Sequence, residues 1–359
     1  MTRHTLGYIG TQGEAPAEGI FAFRLNENNG EMTPIGVVAE EERPTWVLCD
    51  PQRPILYSVC EVGNRDERFG TITSFRISDQ NGSLQPLSRR RTGGGSTHLT
   101  LSQDGAILYC ANFGGPSAVA VPVDIDGRLG PIRSEVITHG TGPHRRQTKP
   151  HPHGVTVDPS GSYLLVPDMG ADKIFVYALD DNHIRPVSTA SFHAGCGPRF
   201  VLFGAAGRDA YMVAELSAEV FHLKWDDARG ELTLAAVTAL DPPDAALPPG
   251  AAAFGLSNDG RFLYVSNRGT HEIHCFAVSP NDGTLTQIQT LNAGGEKPWG
   301  LAISGSGDWL LMANQASDRV SSFRIDPQTG KLSASGHHLN VKTPTSVGFV
   351  PIGVQRNLG

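Results

Sequence analysis

Apolar and polar residues alternate with the period of two expected of half-buried strands along most of this chain, in short runs cut by Gly, Asp and Asn. The runs ITSFRI from Ile72, KIFVYAL from Lys173, EIHCFAV from Glu272 and RVSSFRI from Arg319 are examples. Ahead of each such run stands a recurring phrase: an Asp-Gly or related turn, an aromatic or leucine pair, and a small polar end. It reads DPQRPILYSVCE from Asp50, SQDGAILYCANF from Ser102, DPSGSYLLVPDMG from Asp158, GAAGRDAYMVAEL from Gly204, SNDGRFLYVSNRG from Ser257 and SGSGDWLLMANQ from Ser304. Behind the alternating run comes a turn closing in Gly-x-Leu, as in NGSL, DGRL, RGEL, DGTL and TGKL. No helical domain is visible.

The copies recur about every 50 residues, a spacing typical of propeller repeats. Each unit supplies about four short strands joined by tight turns, a meander that cannot bury both of its faces alone. Radial stacking of the units buries them. A further unit is split: the N-terminal LGYIGTQ, GIFAFRL and NGEM lack the opening strand, and the C-terminal TPTSVGFVP supplies it. The expected fold is therefore all-β, a seven-bladed β-propeller formed as one domain over residues 1–359, with the ring closed by strands from the N- and C-termini. Closure of that kind removes the sheet edges that otherwise template aggregation. A two-sheet sandwich is the rival, and it has no need of a repeated phrase.

Composition agrees with many strands and many turns, because the 42 Gly and 25 Pro are spread over the 359 residues rather than collected in a linker. A single hydrophobic core stops growing near about 250–300 residues, a limit that repeat folds escape. The formal net charge of −7 sets nucleic-acid binding aside. No apolar run approaches the ~18 residues of a membrane span, and the N-terminus has no apolar segment of the length a secretory signal needs. Cys49, Cys60, Cys110, Cys196 and Cys275 are odd in number, widely separated and without a CxxC pair. That pattern predicts reduced, buried thiols in a cytoplasmic protein rather than disulfides or a zinc site.

Propellers bind ligands at the axis, on one face. The LY-type strands are expected to be the inner strands of their units, so the residues that end them are the candidates: Glu61, Asn112 with Phe113, Asp168, Glu215, Asn267 with Arg268, and Asn314 with Gln315. Asn and Asp at a strand end commonly do no more than close a turn. Glu215 and Arg268 are different, since they occupy equivalent repeat positions and bring opposite charges to one focus. The stretch HGTGPHRRQTKPHPHG, from His139 to Gly154, is rich in His, Arg and Lys and would attract an anion. Within it His144, Arg145 and Arg146 read as a solvated loop, whereas His151 and His153 run directly into the strand GVTVD. The His-x-His pair has no third partner at a recognisable spacing, so neither a metal nor any other cofactor is expected.

The phrases RRQTKPHPHGVTVDPSG, VPDMGADKIFVYAL, AGCGPRFVLF, AYMVAEL, DGRFLYVSNRG and LLMANQASDRVSSFRID are similar, in the same order, to those of the propeller lactonase family. That family contains bacterial 6-phosphogluconolactonase and fungal carboxy-cis,cis-muconate cyclase. The resemblance implies a site of His153 or His151, Arg199, Glu215 and Arg268; His151, Asn112, Asn267, Gln315 and His98 are expected beside it as further substrate contacts. It also implies hydrolysis of a small anionic sugar lactone, 6-phosphogluconolactone to 6-phosphogluconate, as in the pentose phosphate pathway. In that scheme Arg199 and Arg268 hold the substrate anion and the developing oxyanion, while His153 or Glu215 takes a proton from water. The partner expected is a small-molecule anionic lactone, with no nucleic acid and no membrane. Three positions depart from the family: Phe200 stands for a His, Trp299 for an Arg and Phe113 for a Tyr. The same residues suit a carboxymuconate-type cycloisomerase, and a non-catalytic binding scaffold is the competing class. The loops at 141–149 and 241–250 are expected to overhang the blades and set specificity.

Overall fold

The computed structural model describes residues 3–13, 19–64, 67–78, 81–180, 183–242, 248–355 and 358. These residues build seven four-stranded antiparallel sheets, each with its strands in meander order. The fourth sheet is representative: Pro198–Phe203, Asp209–Ala214, Glu219–Asp226 and Glu231–Ala239, from the axis outward. The seventh is closed as expected. Pro344–Phe349 pairs antiparallel with His4–Thr11, which pairs with Gly19–Asn26, which pairs with Met32–Glu40.

One expectation is corrected. The LY-type phrase forms the second strand of each blade, and the strand before it lies innermost, where first strands of neighbouring blades meet around the axis. The reason the second strand is conspicuous in the sequence is its burial on both faces: Ile107–Asn112, Phe262–Asn267 and Trp309–Asn314 are buried at every residue. Strands covered on both sides read as continuous apolar runs. The innermost strands are half-exposed toward their C-terminal ends, as in Pro198–Phe203, and are correspondingly quiet.

The core lies between blades, not within them. Phe200, Tyr211 and Val213 of one blade pack on Phe254, Leu263, Val265 and Phe276 of the next. Full burial of a Val, Leu or Phe contributes about 1.5–3 kcal/mol each. The Gly-x-Leu turns are part of the same packing. Gly330, at φ +69°, lies so close to the Phe262 ring that a Cβ there would fall 2.1 Å from it, and Gly230 stands in the same relation to Tyr163 at 2.5 Å. Only glycine accepts both the left-handed backbone and the approach. Tyrosine hydroxyls latch these turns from the neighbouring blade: Tyr8 to the Gly82 carbonyl (3.0 Å), Tyr211 to Gly283 (2.7 Å) and Tyr264 to Gly330 (3.1 Å). Because the strands alternate in direction, these turns sit at one end of the blades. The starts of the first strands and the ends of the second strands meet at the other.

Candidate active site

At that second end the ring opens into a cavity of ≈ 770 Å³. Its floor is made by a recurring device at the start of the first strands. In five blades the pairing of the first two strands slips by one residue, between Ser96 and His98, Pro198 and Phe200, Pro298 and Gly300, at Thr11 opposite Pro344 and Ser346, and between Ala251 and Phe254. A bulge of this kind leaves one residue unpaired and re-aims its side chain. In the first four of these the skipped residues are Thr97, Arg199, Trp299 and Thr345, and all four line the cavity. Gly197, at φ +68°, turns the chain immediately before Arg199, and its carbonyl accepts the Glu215 N–H at 2.8 Å. The turn thereby joins Arg199 to the second strand of its own blade.

Glu215, 1 % exposed, is the centre of the site. Three guanidinium groups converge on its carboxylate: Arg146 at 2.5 Å, Arg268 at 2.9 Å, and Arg199. Burial opposes the charge on Glu215, but Arg268, Arg199 and Arg146 together outweigh it and hold the carboxyl well below the usual range. Arg199 is itself buried and held in place, with Nε donating to the Ala252 carbonyl at 3.1 Å. Burial brings its own value down to about 10. Trp299 lies under both cations, 4.4 Å from Arg268 and 5.7 Å from Arg199. The residue that departs from the family pattern thus offers a π face to the arginines.

The two histidines differ. Nη1 of Arg199 donates to Nε2 of His153 at 2.5 Å, so Nε2 is an acceptor and the ring is neutral with its proton on Nδ1. Burial and the neighbouring Arg199 keep its pKa well below the ordinary value. The 3.6 Å approach of His153 to Glu215 is therefore not an ion pair. His151 faces the other way, with Nδ1 2.7 Å from the Phe113 carbonyl and its ring stacked on the Phe113 ring at 4.4 Å.

Of the residues singled out in the sequence, His151, His153, Arg199, Glu215 and Arg268 are brought together in one cavity, with Glu61 and Phe113 on its wall. Asn112, Asn267, Asn314, Gln315, His98 and Asp168 are not among its lining. Asn112 is spent on Ser96 and Ser117, and Asn267 on Asp241 and the Gly269 N–H, which leaves their amides closing turns. Gln315 bonds Gln12, which does line the cavity. His98 accepts the Val155 N–H and sits beside Trp46 and Phe200, with burial pushing its pKa down to about 3. Asp168 caps its turn, accepting N–H groups from His151, Gly170 and Ala171.

Arg146 corrects the reading of its loop as solvated, because it pairs with the buried Glu215. The loop is pinned by Gln147, fully buried, which donates to the Met169 carbonyl at 2.8 Å and to Asp172 at 2.6 Å. Nothing local in the sequence marks that anchor. Trp46, Arg43 and Arg68, also on the cavity wall, were not foreseen. Of the other loop expected to set specificity, residues 243–247 lie outside the described residues. Altogether the wall carries Arg43, Arg68, Arg146, Lys149, Arg199 and Arg268 against two carboxylates, Glu61 and Glu215, on a chain whose net charge is −7.

Comparison with known proteins follows the same outline. Residues 6–349 match the family model described as lactonase, 7-bladed beta-propeller. The chain is 29 % identical over 351 residues to the 6-phosphogluconolactonase of Bacillus subtilis, covering 98 % of this chain and 99 % of that protein. The solved structure of the periplasmic gluconolactonase of Pseudomonas aeruginosa superposes with a TM-score of 0.90 at 33 % identity, over 98 % of this chain and 100 % of that one. A solved protein from Lactobacillus plantarum is similar to the same degree, with a TM-score of 0.90 at 29 % identity over 97 % and 100 % of the two chains.

Proposed function

The chain belongs to the lactonase family of seven-bladed β-propellers, and from that premise we propose that it hydrolyses a small anionic sugar lactone, with 6-phosphogluconolactone as substrate and 6-phosphogluconate as product. The observation that carries the reading is the excess of cationic side chains around a single cavity in an acidic protein. A cleft lined by one sign of charge concentrates ligands of the other.

The cations divide by what they already hold. Arg146, Arg199 and Arg268 share Glu215. Lys149 donates to the Gly114 carbonyl at 2.7 Å and Arg43 to the Glu61 carbonyl at 3.0 Å, and neither has a carboxylate within ion-pair range among the described residues. In this reading those two charges hold the phosphate of the substrate. Arg268 and Arg199, fixed in place by Glu215, face the lactone carbonyl and stabilise the negative charge that grows on its oxygen. Preorganisation by Glu215 means that little rearrangement accompanies the reaction.

The named relatives bear on lactone chemistry and divide on the phosphate, since one is called a 6-phosphogluconolactonase and the other a gluconolactonase. Steady-state hydrolysis of freshly generated 6-phosphoglucono-δ-lactone, glucono-δ-lactone and a carboxymuconolactone decides between them. The phosphorylated lactone is expected to show the highest kcat/KM, and Arg43→Ala or Lys149→Ala to raise KM for that substrate more than for the neutral one. Equal turnover of phosphorylated and neutral lactones would remove the phosphate from the proposal. Absence of turnover on all three would remove the activity.

A further inference from the structure

We propose that His151, and neither His153 nor Glu215, is the general base that activates water in this site, through its Nε2 atom. The proposal rests on the lactonase reading and goes beyond it by assigning the proton-transfer step to one atom.

Three groups compete for the role, and two are already engaged. A general base must present a free lone pair to water. The Glu215 carboxylate accepts from three guanidinium groups and is 1 % exposed. Both of its oxygens already accept from arginine, and a carboxylate so strongly stabilised is a weak base. His153 has its one acceptor nitrogen, Nε2, occupied by Arg199 at 2.5 Å. Its other nitrogen, Nδ1, is buried without a hydrogen-bond partner among the described residues and, in the tautomer Arg199 enforces, carries a proton. Neither nitrogen of His153 can take another proton without breaking the bond from Arg199.

His151 has the complementary arrangement. A carbonyl oxygen only accepts, so the 2.7 Å contact with Phe113 places the proton on Nδ1 and leaves the lone pair on Nε2. Nε2 has no partner among the described residues and is not one of the sealed polar atoms, while the residue lines the cavity. The ring is held in orientation twice. Phe113 stacks on it with an interplanar angle of 19°, and Asp168 accepts the His151 backbone N–H at 2.7 Å. The charged groups around it are Lys149 and Arg146 on its own loop and Asp168 on the strand behind. Burial, only partly offset by the Phe113 carbonyl and Asp168, holds its pKa below the ordinary histidine value, so the base is neutral at pH 7.

The step balances without another reactant. Nε2 removes one proton from water as the water oxygen bonds to the lactone carbonyl carbon, and the negative charge on the carbonyl oxygen is met by arginine. The tetrahedral adduct then breaks its bond from that carbon to the ring oxygen, which leaves with the electron pair and takes the proton back from Nε2. The carboxylic acid formed loses its proton to solvent.

The test compares wild type, His151→Asn and His153→Gln on 6-phosphoglucono-δ-lactone between pH 5 and 8, corrected for spontaneous hydrolysis. Asn places an amide N–H where Nδ1 was, so the bond to Phe113 is preserved and only Nε2 is lost. His151→Asn is expected to lower kcat by about 10²–10⁴-fold, with KM little changed and with the acid limb of the pH profile erased. His153→Gln is expected to keep that acid limb. Unchanged affinity for 6-phosphogluconate by calorimetry and an unchanged circular dichroism spectrum show that the variant site is intact. The assignment is overturned if folded His151→Asn keeps more than about a tenth of kcat, or if Glu61→Gln, also in the cavity lining, erases the acid limb instead. A wild-type protein that opens no lactone would sink the lactonase reading itself, an outcome distinct from either.

Discussion

The two ends of the blades use the same repeat for opposite purposes. At the turn end one device recurs from blade to blade: a glycine with a left-handed backbone accepts a side chain of the neighbouring blade, as Gly330 accepts Phe262 and Gly230 accepts Tyr163. At the cavity end, equivalent positions diverge. The residue closing the second strand is Asn112 in one blade, bonded to Ser117 in its own turn, and Asn314 in another, bonded to the Ala293 carbonyl that follows the preceding blade. Glu215, just past the same strand in a third blade, is aimed at three arginines instead. Where the repeat is kept it contributes stability, and where it is broken it supplies charge to the cavity.

Glu215→Gln is the sharpest way to break that contrast. It leaves Arg199 and Arg268 without their buried counter-charge, and loss of one partner from a buried ion pair costs about 3–5 kcal/mol. Thermal denaturation is expected to show a loss of that order, with phosphate or 6-phosphogluconate recovering more of it in the variant than in wild type. A variant as stable as wild type would mean that the cluster is not what positions the arginines.

At the other end, Gly330→Ala drives a methyl group into the Phe262 ring and strains the backbone, at a cost of about 1–3 kcal/mol. Activity per folded molecule is expected to be unchanged, because the turn lies at the far end of the blade. A change in KM would show that the two ends are coupled.

The smallest effect concerns pH. His98 and His153 have folded pKa values below the unfolded value, so between the two values the unfolded chain binds protons that the folded one refuses. Stability therefore falls as pH drops below about 6.5, by about 1.4 kcal/mol per histidine for each pH unit. Glu215 acts in the same direction but in a lower window: its stabilisation is fully present above the unfolded carboxyl value and is lost only as pH falls through the depressed folded one. Melting between pH 7 and 5 thus reads the histidines alone of these groups. His98→Asn, which keeps an acceptor for the Val155 N–H, is expected to flatten the slope.

The blades were legible because strand alternation, Asp-Gly turns and the Gly-x-Leu endings are local and recur. The charged pair Glu215 and Arg268 was legible for the same reason, as a break in a repeated position. Arg199 rested on family resemblance, and the physical signal behind it is the pairing slip between Pro198 and Phe200, which sequence does not display. Arg146 was hidden because its role depends on Gln147 reaching Met169 and Asp172 across the fold.

Sequence alone determined the class of fold, the closure of the ring and the neighbourhood of the site, since each follows from short-range periodicity repeated along the chain. Tertiary structure decided which side chains reach the cavity and what each is free to do there. A one-residue slip in strand pairing turns Arg199, Trp299, Thr97 and Thr345 to the cavity floor. Hydrogen bonds between segments distant in sequence then occupy one imidazole of the His-x-His pair and leave the other open. Proton chemistry depends on which lone pair is free, and that is settled only when the blades are packed around the axis.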